Sequence, residues 1–144
     1  MEHIDPETAQ RVWQRVTASA APQSMKPLVY TLGETAMMYQ KLAQQVNSGT
    51  AEQLRRMATQ TRRTAAALQG MGYLRGENIQ VAQPKMTKDL DRLLPEKCCR
   101  RAQLLANEFD MRRNDPEWGK IFARLSGQQW EDALFLLTIL GERT

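Results

Sequence analysis

The 144-residue sequence predicts an all-α protein: a bundle of four helices with one long connection between the second and third, preceded by a short amphipathic helix. Three observations predict it. Apolar residues recur at three- and four-residue spacing through most of the chain, the period of a helix with one buried face. Ala, Leu, Met, Gln and Arg, all good helix formers, are frequent, while the β-branched runs that build strands are nearly absent. The pattern breaks once at length, between residues 70 and 87, where Gly70, Gly72, Gly76 and Pro84 fall.

The elements follow in order. Residues 1–22 read as the N-terminal amphipathic helix, capped by Asp5, with Pro6 in its first turn and Glu7 complementing the dipole. Ala9, Val12, Trp13 and Val16 share one of its faces, and Ala20, Ala21 and Pro22 end it. A helix this short is unstable alone, so its apolar face must dock on the rest or on a partner. Residues 23–144 read as the bundle, in a single domain overall. Its first helix runs from about Ser24 to Val46, with Leu28, Leu32, Thr35, Tyr39, Leu42 and Val46 inward. Asn47, Ser48 and Gly49 make a turn, and Thr50 and Gln53 form a capping box for a helix reaching about Gln69. Leu54, Met57, Ala58, Thr61, Ala65 and Leu68 mark its inner face.

After the irregular stretch, a helix starts at Leu90 or Pro95 and runs to Arg113, with Leu94, Cys98, Ala102, Leu105 and Phe109 inward. Asn114 turns the chain. Asp115, Pro116 and Glu117 repeat the capping device of Asp5. The last helix buries Ile121, Phe122, Leu125, Gln129, Asp132, Leu136 and Ile139, and Gly141 ends it.

Composition narrows the possible functions. No stretch approaches the roughly 20 apolar residues that span a bilayer. The start, MEHIDPETAQ, lacks a basic segment followed by an apolar core, so no signal peptide is expected and the expected location is cytoplasmic. Cys98 and Cys99 are neighbours on a helix, pointing about 100° apart, which does not suit a disulfide. They read as reduced thiols at a packed face. His3 is the only histidine, which disfavours most general acid/base schemes. No Ser-His-Asp, Cys-His or glycine-rich phosphate motif is present. The net charge of +4 permits an acidic partner without requiring one.

The two halves of the bundle echo each other. Leu32 precedes Tyr39 by seven residues, as Ala102 precedes Phe109, and each of these helices is followed by one with a paired i, i+3 position: Thr61 and Thr64, then Gln129 and Asp132. In di-metal bundles these places carry one Glu and one Glu-x-x-His per half.

Local strings sharpen the echo. LRRMATQTRRTAAALQGMGYLRGE (54–77) resembles the second bundle helix of rubrerythrin-like proteins and the turn after it. CCRRAQLLANEF (98–109) resembles their third helix, DPEWGKIFARLSGQQWEDALFLLTILG (115–141) their fourth, and YQKLA (39–43) the end of their first. The resemblance implies a ferritin-like four-helix bundle over residues 25 to 141. It also implies that the family's metal ligands would fall on Leu32, Thr61, Thr64, Ala102, Gln129 and Asp132. Only Asp132 among these binds a hard cation strongly. A register one turn off in the first helix would bring in Glu34, but the second helix still offers no inward acid.

Loss of the acids is physically coherent. A buried carboxylate cluster needs its cation to offset repulsion and desolvation. Leu32 and Ala102 restore an apolar interior, Thr61 and Thr64 can bond the preceding helical turn, and Gln129 and Asp132 would need partners if buried. The expectation is a non-catalytic ferritin-like bundle, a degenerate rubrerythrin, with no cofactor. It would act as a structural or interaction module, as a homodimer or on a protein partner.

Two alternatives stand beside it. One is a divergent di-metal oxidoreductase handling peroxide, with a site relocated to Glu34, Glu108, Glu131 and Asp132. The other is a nucleic-acid-associated protein using a basic stripe, Arg55, Arg56, Arg62 and Arg63. That stripe has no interleaved aromatics, which favours reading it as a solvated face. Trp13, Trp118 and Trp130 and the methionines Met37, Met38 and Met57 read as packing residues. Trp130 is singled out, because exposure on the outer face would mark a contact surface.

Overall fold

The computed structural model describes residues 6–8, 24–80 and 91–142. The cap Asp5, the apolar face from Ala9 to Val16, His3, Pro84 and Leu90 lie outside these residues. Four long helices carry the described chain, with no strand among its residues: α1 (Lys26–Ala43), α2 (Ser48–Leu74), α3 (Leu94–Asp110) and α4 (Gly119–Glu142). No described helix is long and apolar enough to cross a membrane.

Each helix buries the stripe that its periodicity dictates. In α1 this is Leu28, Val29, Leu32, Thr35, Ala36, Tyr39, Leu42 and Ala43. In α2 it runs from Ala51 and Leu54 through Met57, Ala58, Thr61, Thr64 and Ala65 to Leu68 and Gly72. Ile121 is a correction: it is 41 % exposed rather than inward, because the buried face of α4 is defined by Phe122, Ser126, Gln129, Ala133, Leu136 and Ile139.

The ends of the helices also correct the expected boundaries. Helix α2 starts at Ser48 because Asn47, not Thr50, is its N-cap; the Asn47 side-chain oxygen accepts the Thr50 amide at 2.9 Å. It then continues through Gly70 and Gly72, five residues past Gln69. The end is a Schellman motif: Glu77 N–H donates to Gly72 C=O at 2.8 Å, and Gly76 N–H to Tyr73 C=O at 3.0 Å. Gly76 supplies the positive φ, 84°, that the motif needs. Ile79 folds back so closely on Gly72 that a Cβ there would lie 2.8 Å from its side chain. Helices α1 and α3 are shorter than expected, ending at Ala43 and Asp110. Pro95 sits in the first turn of α3, where its missing N–H costs nothing.

Contacts between the ends fix the directions. Helix α1 packs along α2, α3 along α4, and α1 against α3. The Met25 amide, at the start of α1, donates to Glu77 Oε2 just past α2 at 2.9 Å. Arg75 at the end of α2 binds Asp115 between α3 and α4, and Arg112 donates to the Ser24 carbonyl. The start of α1 and the ends of α2 and α3 therefore share one pole. At the opposite pole Asp91, before α3, feels the charge of Lys41 near the end of α1. Helices α2 and α3 run parallel, and the connection between them joins opposite poles, with residues 81–90 outside the described chain.

Candidate functional site

The core divides into two apolar clusters, one toward each pole. The first gathers Tyr39, Leu42, Leu54, Met57, Cys98, Cys99, Ala102, Leu136 and Ile139. The second gathers Leu28, Leu32, Leu68, Leu105, Phe109 and Phe122. Along each helix the clusters meet at one level, and the described buried polar residues, Thr35, Thr61, Thr64, Ser126 and Gln129, fall at that level. The six positions singled out from the sequence are in the same layer. Leu32, Thr61, Thr64, Ala102 and Gln129 are buried and Asp132 is half-buried.

The layer's hydroxyls are consumed by backbone. Thr35 donates to Thr31 C=O at 2.7 Å, Thr61 to Met57 C=O at 2.7 Å and Thr64 to Gln60 C=O at 3.0 Å, as the i−4 geometry of a helical threonine allows. Ser126 donates across to Ala106 C=O at 2.8 Å, tying α4 to α3. The two buried polar atoms here without a partner are Gln129 Oε1 and the Tyr39 hydroxyl. Burial pushes the Tyr39 phenol well above its ordinary range, and Asp132 adds to the shift. Burial, followed by repulsion from Glu131, lifts the Asp132 carboxyl to about 7. Cys98 and Cys99 are free and buried, and burial raises Cys98 to about 12, so both stay thiols at neutral pH.

Such a layer has little to offer a divalent cation, which takes several oxygens or imidazoles. Among the described residues no three His, Cys, Asp or Glu side chains converge. The relocated set is dispersed: Glu34 lies 3.8 Å from Arg101, Glu108 and Asp132 are half-buried, and Glu131 faces solvent.

Two outer surfaces stand apart. Arg55, Arg56, Arg62 and Arg63 are all exposed on α2, with Arg56 paired to Glu52 at 2.7 Å. A depression of about 470 Å³ is lined by Glu52, Arg55, Arg56, Thr59, Gln60 and Arg63, and another of about 370 Å³ lies on the far part of α2, lined by Ala66, Gln69, Gly70, Tyr73 and Glu77 to Ile79. On α4, Trp130, Leu134 and Leu137 form an exposed apolar stripe. Trp130 is thus a correction to its packing role; it points to the outer face, the case in which it marks a contact surface.

The sequence reading missed the junction at the shared pole. Arg75 makes a two-pronged contact with Asp115 at 2.8 and 2.9 Å and stacks on Trp118, its charge 3.8 Å from the ring centre. Asp115 also accepts the Glu117 and Trp118 amides, both at 2.9 Å, and so caps the turn of residues 116–118 that leads into α4, as Asp-Pro-Glu suggests. The Arg75 contact, then these amides, hold its carboxyl down at about 2 despite its burial. Nothing local in the sequence marks Arg75 as the partner, since it lies 40 residues away.

Comparison with protein-family models, with curated proteins and with solved structures returned no match for this chain.

Proposed function

We propose that this protein is a ferritin-like, rubrerythrin-like bundle that has lost its di-metal chemistry and works as a structural or protein-interaction module. The observation that carries the reading is the mid-bundle layer. The positions that would hold ligands in such bundles fall at one level: Leu32 and Ala102 are apolar, Thr61 and Thr64 bond their own helices, and Gln129 and Asp132 are the polar remainder, a single carboxylate being too few for a di-metal site. The parallel course of α2 and α3, with a connection joining opposite poles, supports the same reading, since one long crossover is the ferritin-like topology. The test is metal content after anaerobic incubation with ferrous iron and desalting. The expected result is near-zero iron per chain; two iron atoms per chain, with peroxide consumption, would overturn the reading.

A further inference from the structure

The outer face of α4 carries a stripe of exposed apolar side chains. Trp130, Leu134 and Leu137 are 43 %, 62 % and 45 % exposed, and no charged residue interrupts them along their line. Gly127 and Gly141 lie seven residues before and seven after Leu134, two helical turns on each side. A Cβ added at either glycine would meet no atom within 4 Å, so both leave open space at the surface. The charges flanking the stripe lie along one edge. Lys120 and Arg124 occupy its first part, Glu131 and Glu142 its later part, and all four are exposed.

We infer that this protein self-associates through an antiparallel pairing of two α4 helices, with the two Leu134 side chains meeting on the dyad. An isologous interface requires one surface to complement its own two-fold image. Reversing α4 about Leu134 does this along the stripe to within one or two residues, about 1.5 to 3 Å along the axis. Gly127 comes opposite Gly141 of the second copy, letting the backbones approach. Trp130 comes within one residue of the level of Leu137, placing the largest side chain beside an apolar one. Arg124 comes within two residues of the level of Glu142, about 3 Å along the axis, and Glu131 within one residue of Thr138, so no like charges meet.

The area sets the strength. The stripe exposes on the order of a few hundred Å², the size that marks a contact site on a monomer. A standard stable interface buries about 800 Å² per partner. The dimer is therefore weak and concentration-dependent, with dissociation in the range of about 10 µM to 1 mM. The inference rests on the proposed interaction role and names its partner as a second copy.

Sedimentation of the full chain from about 1 µM to about 1 mM tests it. The expected result is a monomer–dimer equilibrium that Leu134→Asp abolishes while helical content stays unchanged. Arg124→Glu weakens association about threefold to tenfold, and adding Glu142→Arg restores it. Register is read by cross-linking. L134C chains join to one another under mild oxidation, and G127C mixed with G141C gives a cross-linked heterodimer that neither gives alone. A chain that stays monomeric throughout, as when another protein or the N-terminal segment covers this face, overturns the inference. So does a dimer indifferent to Leu134→Asp. Iron measured on the same samples separates the two proposals: a metal-free monomer defeats the dimer alone, and a dimer carrying two irons per chain defeats the non-catalytic reading alone.

Discussion

Asp115 and Asp132 are both shielded from water in the same bundle, and they titrate in opposite directions. At the pole, Asp115 meets the Arg75 guanidinium and two backbone amides, and its carboxyl is held at about 2. In the middle layer, Asp132 is lifted to about 7 by burial and by Glu131. The difference teaches what keeps a buried charge in place. At the pole the ion joins three helix ends and its bonding capacity is filled. In the middle no comparable set of donors lowers the carboxyl, and the other positions of the layer include Leu32, Ala102 and two threonines turned to their own backbones.

The largest expected effect breaks the pole. Asp115→Ala removes the cap of the turn leading into α4 and leaves Arg75 only the longer contact with Glu117 at 3.6 Å, and thermal or urea unfolding should show a loss of about 3 kcal/mol. Arg75→Lys should recover only part of the stability lost in Arg75→Ala, since an ammonium cannot make the two-pronged contact or stack on Trp118. The pH dependence has a definite sign. The Asp115 carboxyl is depressed below its unfolded value, so its contribution is full above about pH 4 and is lost as pH falls through about 2.

Asp132 has the reverse sign. Its folded carboxyl binds a proton more tightly than the unfolded one, so it lowers stability as pH rises from about 4 to about 7, after which the effect is constant. Asp132→Asn should remove that decline and stabilise the chain at pH 8 by about 2 kcal/mol, partial solvent access softening the effect. A flat wild-type stability profile between pH 4 and pH 7 would refute it.

Two smaller effects sharpen the contrast. Gln129→Leu removes a buried amide whose oxygen has no partner, and should raise stability by about 1 kcal/mol at any pH. Thr61→Val and Thr64→Val exchange a hydroxyl bonded to its own helix for a methyl group, and should change stability by about 0.5 kcal/mol or less in denaturant titrations. A loss several times larger would mean these hydroxyls hold the layer together across helices.

The sequence made the helices legible wherever a stripe of apolar residues repeats, and it placed Leu32, Thr61, Ala102 and Gln129 inside; Thr64, also buried, was not on the predicted inner face, and Asp132, placed inward, is half-buried. It misplaced the end of α2 because Gly70 and Gly72 read as breakers; the usable signal was Gly76, the glycine that ends a Schellman motif. It put Ile121 inward because a neighbouring residue at a helix edge fits the same period. The Arg75–Asp115 contact was out of reach, since pattern reading resolves neighbours along a helix and this pair depends on how two hairpins meet. The cap at Asp115 was legible because its partners are two and three residues away.

That same pair bears on how long a folded molecule lasts. The α1–α2 and α3–α4 hairpins are local and can assemble early, whereas Arg75 and Asp115 meet only once both hairpins are docked. Interactions absent from the folding transition state leave the folding rate nearly unchanged and slow unfolding instead. Weakening the contact should therefore raise the unfolding rate at every denaturant concentration and shorten the lifetime of the native chain, with refolding almost as fast as before.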